Sequence, residues 1–173
     1  MKLLNLVHDY DVKLFFNLIN SRFYHSFTTL ARVISQSANG QLYLVLVIFL
    51  YFTEGLQSPF LKTLLVAFTI ERPLYFILKN SFRRDRPQAA LKDYQSLLTP
   101  SDQFSFPSGH TSAAFMVAGI MSFYLPLLSA PLLLWAFLVG VSRVILGVHF
   151  PTDTLIGMIL GVTVSIYSLV QIT

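Results

Sequence analysis

The chain has 173 residues, of which 54% are hydrophobic and 12% charged, and its mean hydropathy is +0.64. A soluble domain carries about 25% charged residues, so this composition excludes an ordinary soluble protein and indicates a single bilayer domain, 1–173. The absence of cysteine excludes disulfides and thiolate metal sites, and much of the positive charge is concentrated in one short segment rather than spread evenly.

The first predicted element is an amphipathic segment. Between residues 3 and 35, apolar side chains such as Val12 and Phe15 alternate with polar ones such as Asp9 and Asp11. The pattern predicts two short helices, and it favours helices that lie in the membrane interface over helices that span the bilayer. We therefore assign residues 1–38 to an interfacial segment.

Five apolar stretches follow, each near the ~20 residues that a spanning helix needs. They cover residues 41–57, 60–80, 110–127, 129–148 and 152–172. The sequence therefore predicts an all-α, multi-pass membrane helix bundle over 41–173, with about five transmembrane helices. Small residues recur at four-residue spacing and predict a close approach of helix backbones: Ala114, Ala118, Gly157, Gly161 and Ser165.

Two charges interrupt the second predicted span. Glu71 and Arg72 precede Pro73, near the middle of the stretch. Since charge is unfavourable there, we expect both side chains to face the protein interior and to support the site, with Glu71 holding Arg72 or a cation of the site. A kink at Pro73 that admits water is the alternative.

The long polar connection, residues 81–109, adjoins a basic cluster within the predicted catalytic loop 79–110. Lysine and arginine crowd the stretch "KNSFRRDRP", residues 79–87, where Lys79 and Arg86 straddle the end of the second span. Such a cluster can bind nucleic acid, but in a membrane chain it favours the phosphate of a lipid, and we expect no nucleic-acid partner. The alternative is a solvated loop that touches lipid headgroups.

A second polar stretch, "FPSGHTSAA", opens the third predicted span at residues 106–114. Ser108 is a favourable N-cap, Gly109 lets the backbone approach a ligand, and free N–H groups at a helix start bind anions. His110 lies at the same point. The alternative is an ordinary turn with an interfacial histidine.

Charges are rare in the last 80 residues. After Asp93 only Asp102, Arg143 and Asp153 are charged, and two of these lie in "RVILGVHFPTDTLIG", residues 143–157. Asp153 falls in the first turn of the fifth span, where it can orient His149 and leave the other ring nitrogen free as a nucleophile or base. Alternatively, Asp153 only caps the helix and Arg143 reaches the interface.

The three polar stretches meet on one face of the bundle if the spans alternate in direction. The second and fourth spans end on the side where the third and fifth begin. Two histidines, a carboxylate, three cations and a helix N-terminus are therefore expected to converge.

Together, the three stretches resemble the signature of the type 2 phosphatidic acid phosphatase superfamily. "KNSFRRDRP", "PSGH" at 107–110 and "SRVILGVHFPTD" at 142–153 match its order and spacing. The resemblance implies a phosphatase that uses neither metal nor cofactor. It also implies a nucleophilic His149 oriented by Asp153, His110 as the acid, and a phosphate pocket of five residues: Lys79, Arg86, Ser108, Gly109 and Arg143.

The resemblance further implies a lipid substrate held in the bilayer. The lipids it suggests are undecaprenyl diphosphate, phosphatidylglycerol phosphate and phosphatidic acid. Two alternatives stay open: a lipid phosphotransferase that uses the same phosphohistidine, and a non-catalytic binder of anionic lipids.

The direction in which the site faces depends on two opposed arguments. Bacterial relatives present this site to the periplasm, and the amphipathic N-terminus resembles their extracytoplasmic segment, so we expect an inner-membrane protein whose site faces the periplasm. The lysine and arginine bias of the loops favours the cytoplasm instead. However, three of these cations are required by the expected chemistry and should not be counted as evidence of membrane orientation: Lys79, Arg86 and Arg143.

Overall fold

The computed structural model describes residues 2–22, 24–100 and 102–173, and the elements it describes are helical. They are α1 (Lys2–Ile19), α2 (Tyr24–Gln36), α3 (Gly40–Glu54), α4 (Pro59–Phe82), α5 (Pro87–Ala90), α6 (Gly109–Tyr124), a 3₁₀ turn (Pro126–Leu128), α7 (Ser129–Ile145) and α8 (Pro151–Ile172). The prediction of an all-α membrane helix bundle is confirmed.

Three segments among the described residues are long and apolar enough to cross a membrane: Ser26–Glu54, Pro126–Ile145 and Pro151–Ile172. Two other predicted spans form helices that are not among these three segments. Helix α4 contains the charged residues Glu71 and Arg72, and α6 has only 16 residues. The count of about five spans stays a prediction.

The N-terminal region is more closely joined to the bundle than the sequence suggested. The first apolar segment begins at Ser26 and so joins α2 to α3 across the turn at 37–39. In addition, α2 packs along α7, and the buried ring of Phe15 in α1 contacts Phe150 and Val144. The placement of 1–38 in the interface stays a prediction, but α1 and α2 form part of the walls of the bundle.

Local chemistry explains where α4 and α8 begin. The Ser58 hydroxyl accepts a hydrogen bond from the Leu61 N–H at 3.3 Å, and Pro59 occupies the first helical position. Pro151 does the same in α8, where the Asp153 carboxylate accepts the Phe150 N–H at 2.8 Å. The predicted place of Asp153 in the first turn of its helix is confirmed.

Helices α6 and α8 pack with their backbones in close contact. A Cβ added to Gly161 would lie 2.2 Å from the Ser112 carbonyl oxygen, and one added to Gly157 would lie 2.6 Å from the Ser108 carbonyl oxygen. Ala114 and Ala118 of α6 are fully buried. The predicted close approach is confirmed, and it fixes the start of α6 beside the start of α8.

Candidate active site

The three polar stretches converge on one cavity of about 930 Å³. Its polar end is lined by Lys79, Arg86, Gly109, His110, Arg143 and His149, with Arg72 farther along α4. Asp153, Ser108 and Glu71 are fully buried behind this wall. The loops at one end of the bundle therefore bring the sequence-predicted site residues together, although not all of them reach the cavity.

His149 lies between a carboxylate and a guanidinium. Its Nδ1 is 3.7 Å from Oδ2 of Asp153, which is longer than a hydrogen bond, and its Nε2 is 3.5 Å from Nη1 of Arg86. Arginine can only donate, so this neighbour favours a ring whose Nε2 carries the lone pair and whose Nδ1 carries the proton. The lone pair of Nε2 then points towards Arg86 on the cavity side.

Burial also keeps this ring neutral. Together with the nearby Arg86 and Arg143, burial lowers the pKa of His149 to about 4, against the opposing effect of Asp153. At neutral pH the imidazole is therefore uncharged. A neutral ring is what a nucleophile or a general base requires.

Asp153 is held by donors on both carboxylate oxygens. Oδ2 accepts the Phe150 N–H and the hydroxyl of Ser105, and Oδ1 accepts Nη1 of Arg84 at 2.7 Å. A buried carboxylate with this many donors stays ionised and fixed in place. It can therefore define the orientation of the His149 ring.

Lys79 and Arg86 share one carboxylate, that of Asp102. Lys79 Nζ is 2.8 Å from Oδ2 of Asp102, and Arg86 donates to Oδ1 and to the Asp102 carbonyl oxygen. Tyr75 donates to the same carboxylate at 2.7 Å. Burial alone would raise the pKa of Asp102, but the hydrogen bonds from Lys79, Tyr75 and Arg86 outweigh it and lower the pKa to about 2.

Arg143 differs from these two cations because its hydrogen-bond partner is a neutral hydroxyl. Its Nη1 donates to the Ser35 hydroxyl of α2 at 2.6 Å, and its buried Nε has no hydrogen-bond partner within the described part of the chain. A buried guanidinium N–H without a partner costs free energy. Arg143 is therefore ready to bind an anion in the cavity.

Glu71 is paired with Arg72, one of the two partners that the sequence suggested. Its Oε1 accepts Nη2 of Arg72 at 2.6 Å and the hydroxyl of Ser112 at 2.6 Å. The Arg72 guanidinium also lies 5.0 Å from the ring centre of Tyr75. Glu71 thus joins α4 to α6 and does not contact Lys79.

The start of α6 differs from the expectation at Ser108. This residue occupies the N-cap position, but its hydroxyl makes no cap bond and instead accepts from Thr111 Oγ1 at 2.9 Å. Its N–H donates to the Asp153 carbonyl oxygen at 2.9 Å, so neither group faces the cavity. Ser108 is fully buried beside α8, and its expected contact with phosphate stays a prediction.

Gly109 and His110 do face the cavity. The ring of Tyr75 lies so close to Gly109 that an added Cβ would meet it at 2.8 Å, which explains why glycine is needed there. His110 Nε2 is 3.1 Å from Oδ1 of Asn39, in the turn between α2 and α3. His110 therefore lies at the cavity wall, beside the turn between α2 and α3.

Several residues at the site were not assigned a role from the sequence: Tyr75, Arg84, Asp102 and Ser105. Asp102 carried a signal, because it is one of only three charges after Asp93. Arg84 lies within the basic cluster beside other arginines, so the sequence does not distinguish it from them. Nothing in the sequence pattern distinguished Tyr75 or Ser105.

The cavity continues away from the charged end between α3 and α4. Apolar side chains line this part, which we call the α3–α4 groove: Tyr43, Leu44, Val47, Leu65, Phe68 and Phe76. Leu44, Leu65 and Phe76 are exposed on the outer surface of the bundle. One cavity thus offers cations for an anionic group and an apolar groove for a hydrocarbon chain.

Comparisons with known proteins agree with this arrangement. A family model described as the PAP2 superfamily matches residues 58–173, which include all three motifs. Phosphatidylglycerophosphatase B of Bacillus subtilis is 39% identical over 109 residues, 57% of this chain and 51% of that protein. This chain therefore spans about half the length of that relative.

Two solved structures share the fold. LpxE of Aquifex aeolicus is 33% identical, with a TM-score of 0.80 over 91% of this chain and 93% of that one. A transmembrane PAP2-type phosphatidylglycerolphosphate phosphatase from Bacillus subtilis is 27% identical, with a TM-score of 0.77 over 95% of this chain and 85% of that one. The similarity extends to nearly the whole chain, including the N-terminal helices that the family model leaves out.

Proposed function

Because this chain belongs to the PAP2 superfamily, we propose that it is a membrane lipid phosphatase that works through a phosphohistidine. The observation that carries the proposal is the setting of His149. Its ring is neutral, its Nε2 lies beside Arg86 in the cavity, and the fixed carboxylate of Asp153 stands behind Nδ1. The residues around it supply position and positive charge, which are what phosphoryl transfer requires.

In the first step, Nε2 of His149 attacks the phosphorus atom and the bond to the leaving oxygen breaks. A new P–N bond forms, and the imidazole becomes a cation that Asp153 stabilises. His110, which takes up a proton when the phosphate anion binds beside it, gives that proton to the leaving oxygen. Lys79, Arg86 and Arg143 balance the charge on the three remaining phosphoryl oxygens.

In the second step, water attacks the phosphohistidine. His110, now neutral, accepts a proton from the water as the new P–O bond forms and the P–N bond breaks. Inorganic phosphate leaves, His149 returns to its neutral form, and His110 is protonated again. The two steps conserve protons, so that no further acid or base is required.

The α3–α4 groove supports a lipid as the substrate. A phosphate held by the cations leaves the rest of the molecule to extend along apolar side chains, as a hydrocarbon chain would. A phosphomonoester or diphosphate of a polyprenol or a glycerolipid fits this arrangement. Undecaprenyl diphosphate, phosphatidylglycerol phosphate and phosphatidic acid are therefore the substrates to test.

The proposal is tested by phosphate release from these lipids in detergent, with single-residue variants of the purified protein. His149→Ala should abolish turnover and the trapped phosphoenzyme. His110→Ala should still be phosphorylated by an aryl phosphate, whose leaving group needs no proton, and should hydrolyse the intermediate slowly. His8→Ala is the matched control, since His8 is an exposed histidine of α1 outside the cavity.

The trapped species identifies the nucleophile. Acid-labile, base-stable phosphate should be found on His149, and its presence on His110 would reverse the two roles. Phosphate transfer to a second lipid in place of water would make the protein a phosphotransferase. A protein that binds lipid phosphates equally well with and without His149, and releases no phosphate, would be a non-catalytic binder.

Resistance to chelation is a separate expectation from the resemblance. Activity should survive EDTA, and vanadate should inhibit because it adopts the five-coordinate geometry of the transferring phosphoryl group. Loss of activity in EDTA that magnesium restores would contradict the metal-free mechanism.

A further inference from the structure

Asp153 is connected to the N-terminal helix through one arginine. Arg84, between α4 and α5, donates Nη1 to Asp153 at 2.7 Å and Nη2 to Asp11 of α1 at 2.6 Å. The carbon centre of its guanidinium also lies 4.6 Å from the ring centre of Phe150, the residue after His149. One side chain thus bridges two carboxylates that are far apart in the sequence.

Asp11 is itself part of this arrangement. It is 1% exposed, although it lies on a helix with many exposed side chains. It accepts the Thr152 N–H at 3.0 Å and the Thr152 hydroxyl, in addition to Arg84. The first turn of a helix leaves its N–H groups without intrahelical partners, so Asp11 caps α8 from a different helix, next to Asp153.

Burying these charged side chains costs free energy unless each one keeps its oppositely charged partner. Two buried carboxylates share one guanidinium, and removing the guanidinium would leave both without their cation. The contacts also define one position for Asp153, since its Oδ1 is committed to Arg84 while Oδ2 lies on the side of His149. A rotation of this carboxylate would break the Arg84 contact.

We propose that Asp11 and Arg84 are positioning residues for phosphoryl transfer, which act by holding Asp153 behind His149. The amphipathic N-terminal helix is then part of the catalytic apparatus and not only a membrane-surface segment. This inference rests on the proposed phosphatase function. It assigns no contact with substrate to either residue, and it concerns the rate of the chemical step.

The test compares kcat, KM and vanadate inhibition for variants of these two residues. Arg84→Met should lower kcat about 100-fold, the cost expected for misplacing a reacting group. KM and the vanadate inhibition constant should change by less than about threefold, because the phosphate-binding cations are untouched. Arg84→Lys, which keeps the charge, should recover part of kcat.

Asp11→Asn keeps the shape of the side chain and should lower kcat less than Arg84→Met does. If both residues act through Asp153, the double variant should be no slower than Arg84→Met alone. Matched controls are Asp9→Asn on α1 and Arg83→Met beside Arg84, since both side chains are exposed. Neither control should change kcat.

Each other outcome would overturn the inference. An unchanged kcat would show that Asp153 needs no such support, and a raised KM or vanadate constant at constant kcat would make Arg84 a substrate-binding residue. If Arg84→Met does not fold, the test uses Asp11→Asn, with kcat divided by the concentration of sites that bind vanadate. A kcat per site equal to that of the wild type would mean that the contacts among Asp11, Arg84 and Asp153 only stabilise the fold.

Failure of the proposed function would look different. In that case the wild-type protein itself would release no phosphate, or His149→Ala would be as active as wild type. An active wild-type protein with a normal Asp11→Asn variant would remove only the role of the N-terminal helix.

Discussion

The cations around the cavity differ in how far they are already neutralised. Lys79 and Arg86 share the Asp102 carboxylate, whereas Arg143 donates to a neutral serine hydroxyl. A substrate phosphate that binds Lys79 and Arg86 must therefore compete with Asp102. With its pKa lowered to about 2, Asp102 remains an anion throughout the range in which the protein can be assayed.

Asp102→Asn should consequently strengthen the binding of simple anions. Phosphate and vanadate no longer displace a carboxylate in this variant, and their inhibition constants should fall by about tenfold if the displaced contact is worth about 1.4 kcal/mol. Competitive inhibition of lipid hydrolysis measures this. Asp93→Asn is the control, as an exposed aspartate of the same loop. Weaker inhibition in Asp102→Asn would instead show that the carboxylate holds the two cations in place.

The second prediction at this scale concerns pH. Protonation of Nε2 removes the lone pair needed for attack, so activity is lost as the pH falls through the pKa of His149 in the folded protein. Because burial lowers that pKa to about 4, kcat/KM should decline with a midpoint well below 6.5. The measurement is a kcat/KM profile corrected for ionisation of the substrate phosphate. A midpoint at or above 6.5 would mean that Asp153 outweighs burial.

Among the helices, the contact between α6 and α8 sets the spacing of the site. Both histidine-bearing segments adjoin it, since His110 is in the first turn of α6 and His149 lies two residues before the start of α8. Glycine at positions 157 and 161 allows the two backbones to touch. The distance between His110 and His149 therefore depends on residues that contact neither of them.

Gly161→Ala should force the two helices apart. The new methyl group would meet the Ser112 carbonyl oxygen and the Met116 N–H, which are backbone atoms and cannot rotate away. Overpacking of this kind costs about 1–3 kcal/mol, so the thermal unfolding temperature in detergent and the activity should both fall. Gly40→Ala at the start of α3 is the control for the unfolding temperature, because nothing lies within 4 Å of its added Cβ. Equal behaviour of the two variants would contradict the tight contact.

The sequence predicts the helices and the convergence of the motifs for reasons that are local. Hydropathy marks the apolar helices, Pro151 and Asp153 mark the start of α8, and the alternation of helix direction brings the motif ends to one side. For Asp11, the sequence pattern predicts only a place on the polar side of an amphipathic helix. Its partner Arg84 is 73 positions away in the sequence, and a local sequence pattern cannot predict a contact over that separation.

The Ser108 hydroxyl also departs from its local prediction. A serine before a helix predicts a hydroxyl that accepts a backbone N–H, but this hydroxyl accepts from the Thr111 side chain, and the Ser108 N–H donates to the Asp153 carbonyl oxygen of α8. Asp102 shows the opposite situation. Its rarity as a charge was visible in the sequence, while the three side chains that surround it come from separate turns of α4 and from the loop.

For the whole molecule, the question that remains open to experiment is which side of the membrane the site faces. We expect the periplasmic side, and the absence of cysteine makes the test direct. Gln95→Cys places a thiol at an exposed position of the loop beside the site. A membrane-impermeant maleimide should label it in cells whose outer membrane alone is permeabilised.

Gln57→Cys is the matched control at the opposite end of the bundle, in the exposed turn between α3 and α4. It should be labelled only after lysis. The reverse pattern for the two variants would place the site in the cytoplasm and would favour a substrate made on the inner leaflet.

The α3–α4 groove opens on the outer surface of the bundle, and this has a consequence for how the protein must be assayed. A substrate that enters sideways arrives by diffusion in two dimensions, so its effective concentration is its mole fraction in the bilayer or micelle. Adding inert detergent at constant total lipid phosphate should then slow the reaction by surface dilution. Apparent Michaelis constants given per volume of solution would describe the detergent as much as the protein.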